Sequence, residues 1–244
     1  MKLKGKVVLV TGGAKRIGET IALTLAKAGA HLAITYRTSR KEADHTISEL
    51  KKHGSKALAI YVDLSSAEDA KRAIDEVVNC YGRLDVLVNN AANFIRKPFR
   101  ELTEADFNES IDVNLKGPYL FSIAAGKVML KQKRGKIVNL ADWAGLRPYP
   151  NYLPYCVSKG GVITLTKALA VSLAPYVQVN AVLPGPVLLP EDFSKSARQK
   201  IIKETPLRRI GSPEDVAEAV RFLIEGSDFI TGALLPVDGG RLIA

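Results

Sequence analysis

Cysteine is scarce in this chain of 244 residues, which has only Cys80 and Cys156. The two lie far apart, in segments with helical periodicity, so they form none of the closely spaced pairs that bind metals or build disulfide frameworks. The sequence therefore predicts no metal site, no disulfide scaffold and a reducing compartment.

Long apolar runs are missing as well. No run reaches the roughly 20 residues that a membrane-spanning helix requires, and the opening MKLKGKVVLVTGG leads directly into a strand and a turn, without the apolar region of a secretory signal. These absences predict a cytoplasmic protein with no membrane partner. Linkers rich in Pro, Gly and Ser and internal repeats are also absent, which predicts a single domain over residues 1–244.

Acidic residues are in the minority: 25 Asp and Glu face 35 Lys and Arg, which gives a formal net charge of +10. The basic residues are spread from Lys2 to Arg241 without an aromatic-interleaved basic block, and this argues against a nucleic-acid partner. A positive balance does favour the collection of anionic small molecules such as a phosphorylated cofactor.

Hydrophobic residues make up 47% of the chain, and short β-branched runs alternate with segments of helical periodicity. Because right-handed crossovers between parallel strands place helices over the sheet, this alternation predicts an α/β fold, a doubly wound parallel sheet with helices on both faces. The predicted strands cover residues 6–10, 31–36, 56–62, 83–90, 135–140 and 177–182, with a seventh near 233–239, and the clearest helices cover 17–30, 67–82 and 153–176.

One irregular stretch, LPGPVLLPEDFSKSARQK, follows the sixth predicted strand. In an open α/β sheet, ligands bind beyond the carboxyl ends of the strands, so a loop at this place can close over a ligand. We predict a substrate lid over residues 183–204, in which Leu188, Leu189 and Phe193 are candidates to close the pocket.

A glycine-rich turn, TGGAKRIG (residues 11–18), lies between the first predicted strand and the first helix. Glycine allows the tight turn and the close backbone approach that a pyrophosphate needs, and the helix start supplies unpaired N–H groups. A lone motif of this kind can also be an ordinary strand-to-helix turn. Its position at the start of an α/β array favours dinucleotide binding.

The end of the second predicted strand discriminates between NAD and NADP. A site that prefers NAD usually has an acid about 20 residues beyond the turn, whereas this chain has TYRTSR, with Arg37 nineteen positions after Gly18. A guanidinium pairs with the 2′-phosphate of NADPH, which an acid would repel. The sequence therefore predicts NADPH/NADP as cofactor. Asp63, which ends the third strand, either contacts the adenine or only caps the next helix.

Tyr155 and Lys159 form a Tyr-x-x-x-Lys pair in a helical segment. Residues four apart share one helix face, and a nearby ammonium lowers the pKa of a tyrosine, which is about 10 in isolation. The pair predicts an enzyme in which Tyr155 gives a proton to the substrate while a nicotinamide gives hydride. The alternative from another class is a dinucleotide sensor without catalysis, which would need no proton donor.

Six segments, taken in order, resemble the short-chain dehydrogenase/reductase family over nearly the whole chain: TGGAKRIG, NNAA (residues 89–92), IDVNLKG, YCVSK, NAVLPGPV and FITGALLPVDGG. The resemblance implies a Rossmann fold, reduction of a small molecule, a homotetramer, and a water-linked proton relay at Asn114. Together with the motifs above, it implies that the cofactor is bound by Gly12, Lys15, Arg16, Ile17, Gly18, Tyr36, Arg37, Thr38, Ser39, Asp63, Leu64, Asn90, Ala91, Tyr155, Lys159, Pro184 and Gly185.

Two departures from the family pattern are informative. Arg16 replaces the middle glycine of the family's phosphate loop, and Asp142, thirteen positions before Tyr155, replaces its usual catalytic serine. Both substitutions resemble the pteridine reductase branch, in which the Phe94 position stacks the pterin ring; burial as a loop anchor is the alternative for Phe94. The resemblance implies the catalytic set Asp142, Tyr155, Lys159 and Asn114, and the substrate set Arg16, Phe94, Asp142 and Tyr155.

Asp142 bears most directly on the substrate. An ionised carboxylate only accepts hydrogen bonds and would repel a carbonyl oxygen that gains negative charge, whereas a serine would donate. It can orient the N–H groups of a pterin; alternatively, burial protonates Asp142 and makes it an acid itself.

We predict an NADPH-dependent reductase of pterins of the biopterin or dihydrobiopterin type, extending to dihydrofolate. Dihydromonapterin reductase and a keto- or acyl-reductase of the wider family are the alternatives. Trp143, Tyr149 and Tyr152 are further candidates to line the pocket.

Overall fold

A computed structural model describes residues 1–189 and 193–244 of the chain. Within these residues, one sheet has seven parallel strands in the order β3-β2-β1-β4-β5-β6-β7. The strands are β1 (Val7–Val10), β2 (His31–Tyr36), β3 (Ala57–Tyr61), β4 (Val86–Asn89), β5 (Gly135–Leu140), β6 (Val177–Pro184) and β7 (Leu234–Val237). The predicted doubly wound parallel sheet is confirmed.

Helices separate the strands, as the alternating pattern predicts. They are α1 (Arg16–Lys27), α2 (Arg40–Lys52), α3 (Ala67–Tyr81), α4 (Glu104–Ile111), α5 (Gly117–Lys131), α6 (Leu153–Ser172), α7 (Lys195–Glu204) and α8 (Pro213–Glu225). Among the described residues, no helix is both long enough and apolar enough to cross a bilayer.

The core lies on both faces of the sheet. All four residues of β1 are buried, and because successive strand residues point to opposite faces, they join two different clusters. Val8 and Val10 pack with the apolar faces of α1 and α8. Val7 and Leu9 pack with α3 and α5. Burial on both faces explains why the strands are nearly continuous apolar runs rather than alternating ones.

The strand order reverses at β1 and β4, which lie side by side in the centre of the sheet. Beyond their carboxyl ends, the backbone N–H of Asn90 donates to the Thr11 hydroxyl over 3.0 Å, and the Asn90 amide donates to the Thr11 carbonyl over 2.9 Å. Ligands of open α/β sheets bind at such a reversal. These bonds fix the two loops that flank it.

A π-helical segment, Asp112–Lys116, joins α4 to α5 without a break in the helix. It contains Asn114, which is buried. Single π-turns are rare and are frequently found at functional sites. The segment is therefore a second indication that Asn114 belongs to a functional site.

The element bounds differ from the predicted ones mainly at the ends. β4 begins at Val86, three residues later than predicted, and directly before it the Arg83 guanidinium donates to the Asp85 carboxylate over 2.7 Å. The predicted lid, residues 183–204, is partly regular: its first two residues end β6, and its last ten form α7. Residues 190–192 of the predicted lid lie outside the described residues.

Phe121 of α5 tests the packing beneath the sheet, since its side chain is fully buried. We expect Phe121→Ala to lower the free energy of unfolding by about 3 to 5 kcal/mol, because it removes buried apolar surface and leaves a cavity. Phe99→Ala is the matched control, since Phe99 is 77% exposed, and it should change stability by less than about 0.5 kcal/mol. Urea denaturation measures both; equal losses would contradict the packing described.

Candidate active site

The turn after β1 is closely packed through its glycines. A Cβ atom added to Gly12, whose φ is +61°, would lie 2.8 Å from the Cβ of Ala91, and one added to Gly18 would lie 2.2 Å from the Gly12 carbonyl oxygen. The Asn90 amide also donates to that carbonyl over 3.1 Å. Only glycine fits at both positions, so the turn can approach a ligand through its backbone.

Arg16 begins α1 in a left-handed conformation, with φ of +57°. This conformation costs a non-glycine residue roughly 1 kcal/mol, and it explains why a glycine is common at this place in a phosphate loop. Both Lys15 and Arg16 are exposed, whereas Ile17 is partly buried. In the part of the chain that the structure describes, no side chain caps the start of α1, so two basic side chains and unpaired N–H groups share one end of the helix.

Arg37 and Thr38 are exposed directly after β2, beside Tyr36 and Ser39, which are buried. The Arg37 guanidinium lies 3.6 Å from the Asp63 carboxylate. Hydrogen bonds from the hydroxyl and the backbone of Ser65, together with the charge of Arg37, lower the pKa of Asp63. The predicted NADP selector therefore has an acidic neighbour from the next strand, yet 61% of its side chain stays exposed.

The remaining predicted cofactor residues border the same edge of the sheet. Leu64 packs against the start of α5, where a Cβ added to Gly117 would lie 3.1 Å from the Leu64 Cβ. Pro184 ends β6. The backbone N–H of Gly185 donates to Val237, and a Cβ at Gly185 would lie 2.7 Å from the Cα of Asp238.

These features fit a dinucleotide. The turn excludes a Cβ where a pyrophosphate would need close approach, the uncapped start of α1 offers N–H groups to an anion, and an exposed guanidinium ends β2. The residues that would hold the group thus come from the carboxyl ends of β1, β2 and β3.

Asp142 follows β5 and receives three hydrogen bonds. Its Oδ1 accepts from the Tyr149 hydroxyl over 2.6 Å and from the backbone N–H of Ala144 over 2.7 Å, and its Oδ2 accepts from the Tyr155 hydroxyl over 2.7 Å. These contacts match a carboxylate that accepts, whereas burial raises the pKa of Asp142. Of the two alternatives open from the sequence, this geometry favours the acceptor.

Lys159 lies one turn beyond Tyr155 on α6. Its side chain is buried; Nζ donates to the Leu140 carbonyl over 2.8 Å and lies 5.7 Å from the centre of the Tyr155 ring. Burial lowers the pKa of Lys159 to about 8, although the Asp142 charge opposes this shift. The lysine therefore titrates within the range in which an enzyme works.

The pKa of Tyr155 lies above its ordinary value and not below it, as the pairing with Lys159 alone would give. Burial raises the pKa of Tyr155 well above its ordinary value, and the charge of Asp142 raises it further. A carboxylate that accepts from the phenol stabilises the protonated form, and the ammonium is directed at a backbone carbonyl rather than at the phenol oxygen. Tyr155 is thus held in its protonated form.

Asn114 fastens the loop after β4. Its Oδ1 accepts from the backbone N–H of Asn93 over 2.8 Å, and its Nδ2 donates to the Asn93 carbonyl and to the Ser158 hydroxyl, both over 3.2 Å. Ser158 in turn donates to the Tyr155 carbonyl over 2.6 Å. The contacts join the loop to α6; the predicted proton relay stays a prediction.

Phe94 lies at the mouth of this site and is 45% exposed. Its ring stacks on Tyr152 with centroids 4.2 Å apart and meets the edge of Tyr155 at 4.6 Å. Burial as a core anchor is therefore excluded by the exposure. The structure brings together Phe94, Asp142 and Tyr155 of the predicted substrate set, while the exposed Arg16 lies on the phosphate turn.

Sequence reasoning missed the particular partners in this cluster. Tyr149 was a general pocket candidate, yet it is a direct donor to Asp142. Trp143 is buried, with the guanidinium groups of Arg147 and Arg241 at 5.9 and 5.2 Å from its ring. No periodicity links these residues, since they lie in a loop and in the C-terminal segment. They come together only in the folded chain.

Comparisons with known proteins agree with this geometry. A family model described as enoyl-(acyl carrier protein) reductase matches residues 12–241. The chain belongs to the short-chain dehydrogenase/reductase family. It is 36% identical to the 3-oxoacyl-(acyl-carrier-protein) reductase of Synechocystis over 99% of this chain and 98% of that protein, and 39% identical to the enzyme of the same name from Aquifex aeolicus over 98% of both.

Solved structures of this family superpose closely on the chain. A variant of actinorhodin polyketide ketoreductase with NADPH has a TM-score of 0.92 and 32% identity, and covers 98% of both chains. NAD⁺-bound xylitol dehydrogenase has a TM-score of 0.93 and 32% identity, and covers 98% of this chain and 100% of its own. The protein is therefore an oxidoreductase of the short-chain family that uses a nicotinamide cofactor. The relatives named above are not pteridine reductases, so that branch stays a prediction.

Lys159 makes a testable contribution to stability. Between its folded pKa of about 8 and the ordinary value of 10.5, the unfolded chain holds a proton that the folded protein has released, so stability rises with pH in this window. Relative to Lys159→Met, the wild type should therefore gain roughly 2 to 3 kcal/mol in free energy of unfolding between pH 7 and pH 10.

The measurement is urea denaturation across that pH range. Lys167→Met is the control, because Lys167 is exposed on the same helix and its removal should give a difference that does not change with pH. A difference between wild type and Lys159→Met that stayed constant from pH 7 to pH 10 would contradict the lowered pKa.

Proposed function

We propose that this short-chain dehydrogenase/reductase is an NADPH-dependent reductase in which Tyr155 donates the proton. The observation that carries the proposal is the hydrogen bond from the Tyr155 hydroxyl to Asp142, next to the buried Lys159. When bound, NADPH would supply the hydride. A sensor would need no such buried donor group, and building one costs stability.

The residues of the chain supply the proton and stabilise the phenolate that is left after its transfer. The Tyr155 hydroxyl transfers its proton to the substrate atom that gains the electron pair. To do so, it turns from the Asp142 oxygen to the substrate, and the Lys159 ammonium near its ring stabilises the phenolate that remains. Phe94 stacks on Tyr152 and contacts the ring of Tyr155, and this aromatic wall favours a flat substrate.

NADPH is proposed over NADH because of Arg37. No acid follows β2 directly, and the guanidinium is exposed where a 2′-phosphate would lie. The charge of Asp63 at 3.6 Å weakens this preference without removing it, since an exposed pair at that distance is worth at most about 1 kcal/mol. The named structural relatives hold NADPH in one case and NAD⁺ in the other.

The first substrate candidate is a 3-oxoacyl thioester or a related ketone. It is supported by relatives of 36% and 39% identity that are named 3-oxoacyl-(acyl-carrier-protein) reductases and cover nearly the whole chain. In this reaction Tyr155 would protonate the former carbonyl oxygen. That oxygen would have to approach Tyr155 on a path that keeps it away from the Asp142 carboxylate.

A pterin is the second candidate, and one observation favours it: Asp142 is held as an acceptor beside Tyr155. An acceptor and a donor side by side match the N–H and C=N groups of a pterin better than a lone ketone oxygen. Phe94 offers a half-exposed ring to a flat substrate. The candidates of this class include dihydrobiopterin, dihydrofolate and dihydromonapterin.

Self-association into a homotetramer is proposed with the function. α5 exposes Tyr119, Ile123 and Leu130, and α6 exposes Leu153 and Val157. Apolar side chains on two helices give a surface that a second copy of the chain could cover. The cytoplasmic location and the absence of nucleic-acid and membrane partners remain predictions.

Arg37→Asp tests the cofactor preference. We expect the Kd for NADPH to rise at least about tenfold, because a carboxylate repels the 2′-phosphate, and the Kd for NADH to change less than about threefold. Fluorescence titration measures both. Arg134→Asp makes the same change of charge at an exposed residue just before β5, at the opposite end of the sheet. Equal weakening of both cofactors by Arg37→Asp would disprove the role of Arg37.

Tyr155→Phe and a substrate panel test the reaction. The panel holds a 3-oxoacyl thioester, simple ketones, dihydrobiopterin, dihydromonapterin and dihydrofolate, each with NADPH. We expect oxidation of NADPH by at least one class, and Tyr155→Phe should reduce kcat about 10² to 10⁴-fold with little change in NADPH affinity.

The outcomes separate the candidates. Turnover of ketones alone would exclude the pterin reading, and turnover of pterins alone would exclude the 3-oxoacyl reading. NADPH binding without hydride transfer to any compound of the panel would favour a sensor and overturn the proposed function. Undiminished turnover by Tyr155→Phe would remove Tyr155 from its role.

A further inference from the structure

Tyr149 has no part in the mechanism above, although it touches the centre of the site. Its hydroxyl lies 2.6 Å from Asp142 Oδ1, the oxygen that also accepts from the backbone of Ala144 over 2.7 Å. The other oxygen, Oδ2, accepts from Tyr155 over 2.7 Å. Two phenols thus bind one carboxylate from opposite sides.

This arrangement fixes how the carboxylate is turned. With two donors on Oδ1, rotation of the Asp142 side chain would break two hydrogen bonds at once. Oδ2 therefore stays directed at the Tyr155 hydroxyl. Loss of the Tyr149 donor would leave only the backbone N–H of Ala144 to hold Oδ1.

Tyr149 is itself held rigidly by aromatic neighbours. Its ring centre lies 5.5 Å from that of Trp143 and 5.6 Å from that of Tyr152, with an edge-to-face angle of 88° for the latter. The ring of Phe94 meets it at 6.4 Å, again nearly perpendicular. Such contacts define one position for a ring, so the hydroxyl arrives at Oδ1 already oriented.

We propose that Tyr149 is a positioning residue of the reductase: its hydroxyl holds the Asp142 carboxylate turned so that Oδ2 faces the Tyr155 hydroxyl and keeps that hydroxyl in place beside the substrate. The inference rests on the proposed role of Tyr155 as proton donor. It holds for either substrate candidate, because it concerns only the groups behind the donor.

The charge balance at Asp142 supports this role. Among the described residues, the titratable groups that face the carboxylate are Tyr149 from the loop after β5, and Tyr155, Cys156 and Lys159 from α6. Burial raises the pKa of Asp142, and the hydrogen bond from Tyr149 is the foremost of the contacts that oppose this rise. Removal of that donor favours protonation of Asp142.

Protonation would change what Asp142 does. A protonated carboxyl is itself a donor, so it could turn its hydrogen towards the Tyr155 oxygen and leave the Tyr155 proton without its acceptor. Activity should then change at the pH at which Asp142 titrates, and this change forms the acid limb of the pH profile. Because loss of a donor to the charged form raises the pKa of an acid, the midpoint of this acid limb should move to higher pH.

Tyr149→Phe tests the proposal with the loss of one oxygen atom. The measurement is kcat/KM of the full-length enzyme against pH, with NADPH and a substrate found active in the panel. We expect the midpoint of the acid limb to rise by about one pH unit, which is the effect of losing one hydrogen bond to a charged group. Tyr176→Phe, at an exposed tyrosine, should leave the midpoint where it is.

A double variant separates positioning from simple packing. In Asp142→Asn, which cannot ionise, Tyr149→Phe should shift no acid limb, because the group through which Tyr149 acts is gone. If Tyr149 only contributes packing, Tyr149→Phe would lower kcat by the same factor at every pH, both in the wild type and in Asp142→Asn. That result, or an unmoved midpoint in the single variant, would overturn the proposal.

A direct titration keeps this test independent of turnover. Carbon-13 NMR of protein labelled at the aspartate side-chain carboxyl follows Asp142, whose signal is identified by its loss in Asp142→Asn. We expect its titration midpoint to be about one unit higher in Tyr149→Phe than in the wild type. An unchanged midpoint would overturn the proposal even if no substrate is found, whereas a shift without any turnover would count only against the proposed function.

Discussion

The hydrogen bond that the partly buried Asp142 carboxylate accepts from the Tyr155 hydroxyl is the interaction on which the site depends. A charge in a buried place is unfavourable unless donors surround it, and here Tyr149, Tyr155 and the backbone of Ala144 all donate. The need to satisfy that charge dictates where both phenols lie. It also explains why Tyr155 is held protonated, although the nearby lysine alone would favour the phenolate.

The sheet makes this convergence possible. Asp142 follows β5, whereas Tyr155 and Lys159 lie on the helix between β5 and β6, which are neighbours in the sheet. The Lys159 ammonium returns to the Leu140 carbonyl at the end of β5, and this bond ties the start of α6 to the strand that carries the acid. The reversal of strand order at β1 and β4 puts the glycine turn at the same edge of the sheet as Tyr155, without long loops.

Much of this could be predicted from the sequence, and the exceptions have physical reasons. The sheet could be predicted from its β-branched runs, because strands that are buried on both faces are nearly continuous apolar segments and stand out in the sequence. The π-helical segment at Asn114 could not be predicted, because a single π-turn has no signature in residue type or periodicity. The bond between Tyr149 and Asp142 could not be foreseen, since loops lack periodicity. Likewise, Lys159 donates to the backbone carbonyl of Leu140. Every residue has such a carbonyl, so the sequence does not indicate this partner.

The substrate question follows from the same carboxylate. Relatives with 36% and 39% identity share the scaffold and the family, but substrate choice depends on the few side chains that touch the reacting atoms. At this site those side chains present a donor, an acceptor and a half-exposed ring together. A ketone uses only the donor, and must avoid the acceptor. A ketone that Tyr155 protonates would therefore have to approach it from the side away from Asp142.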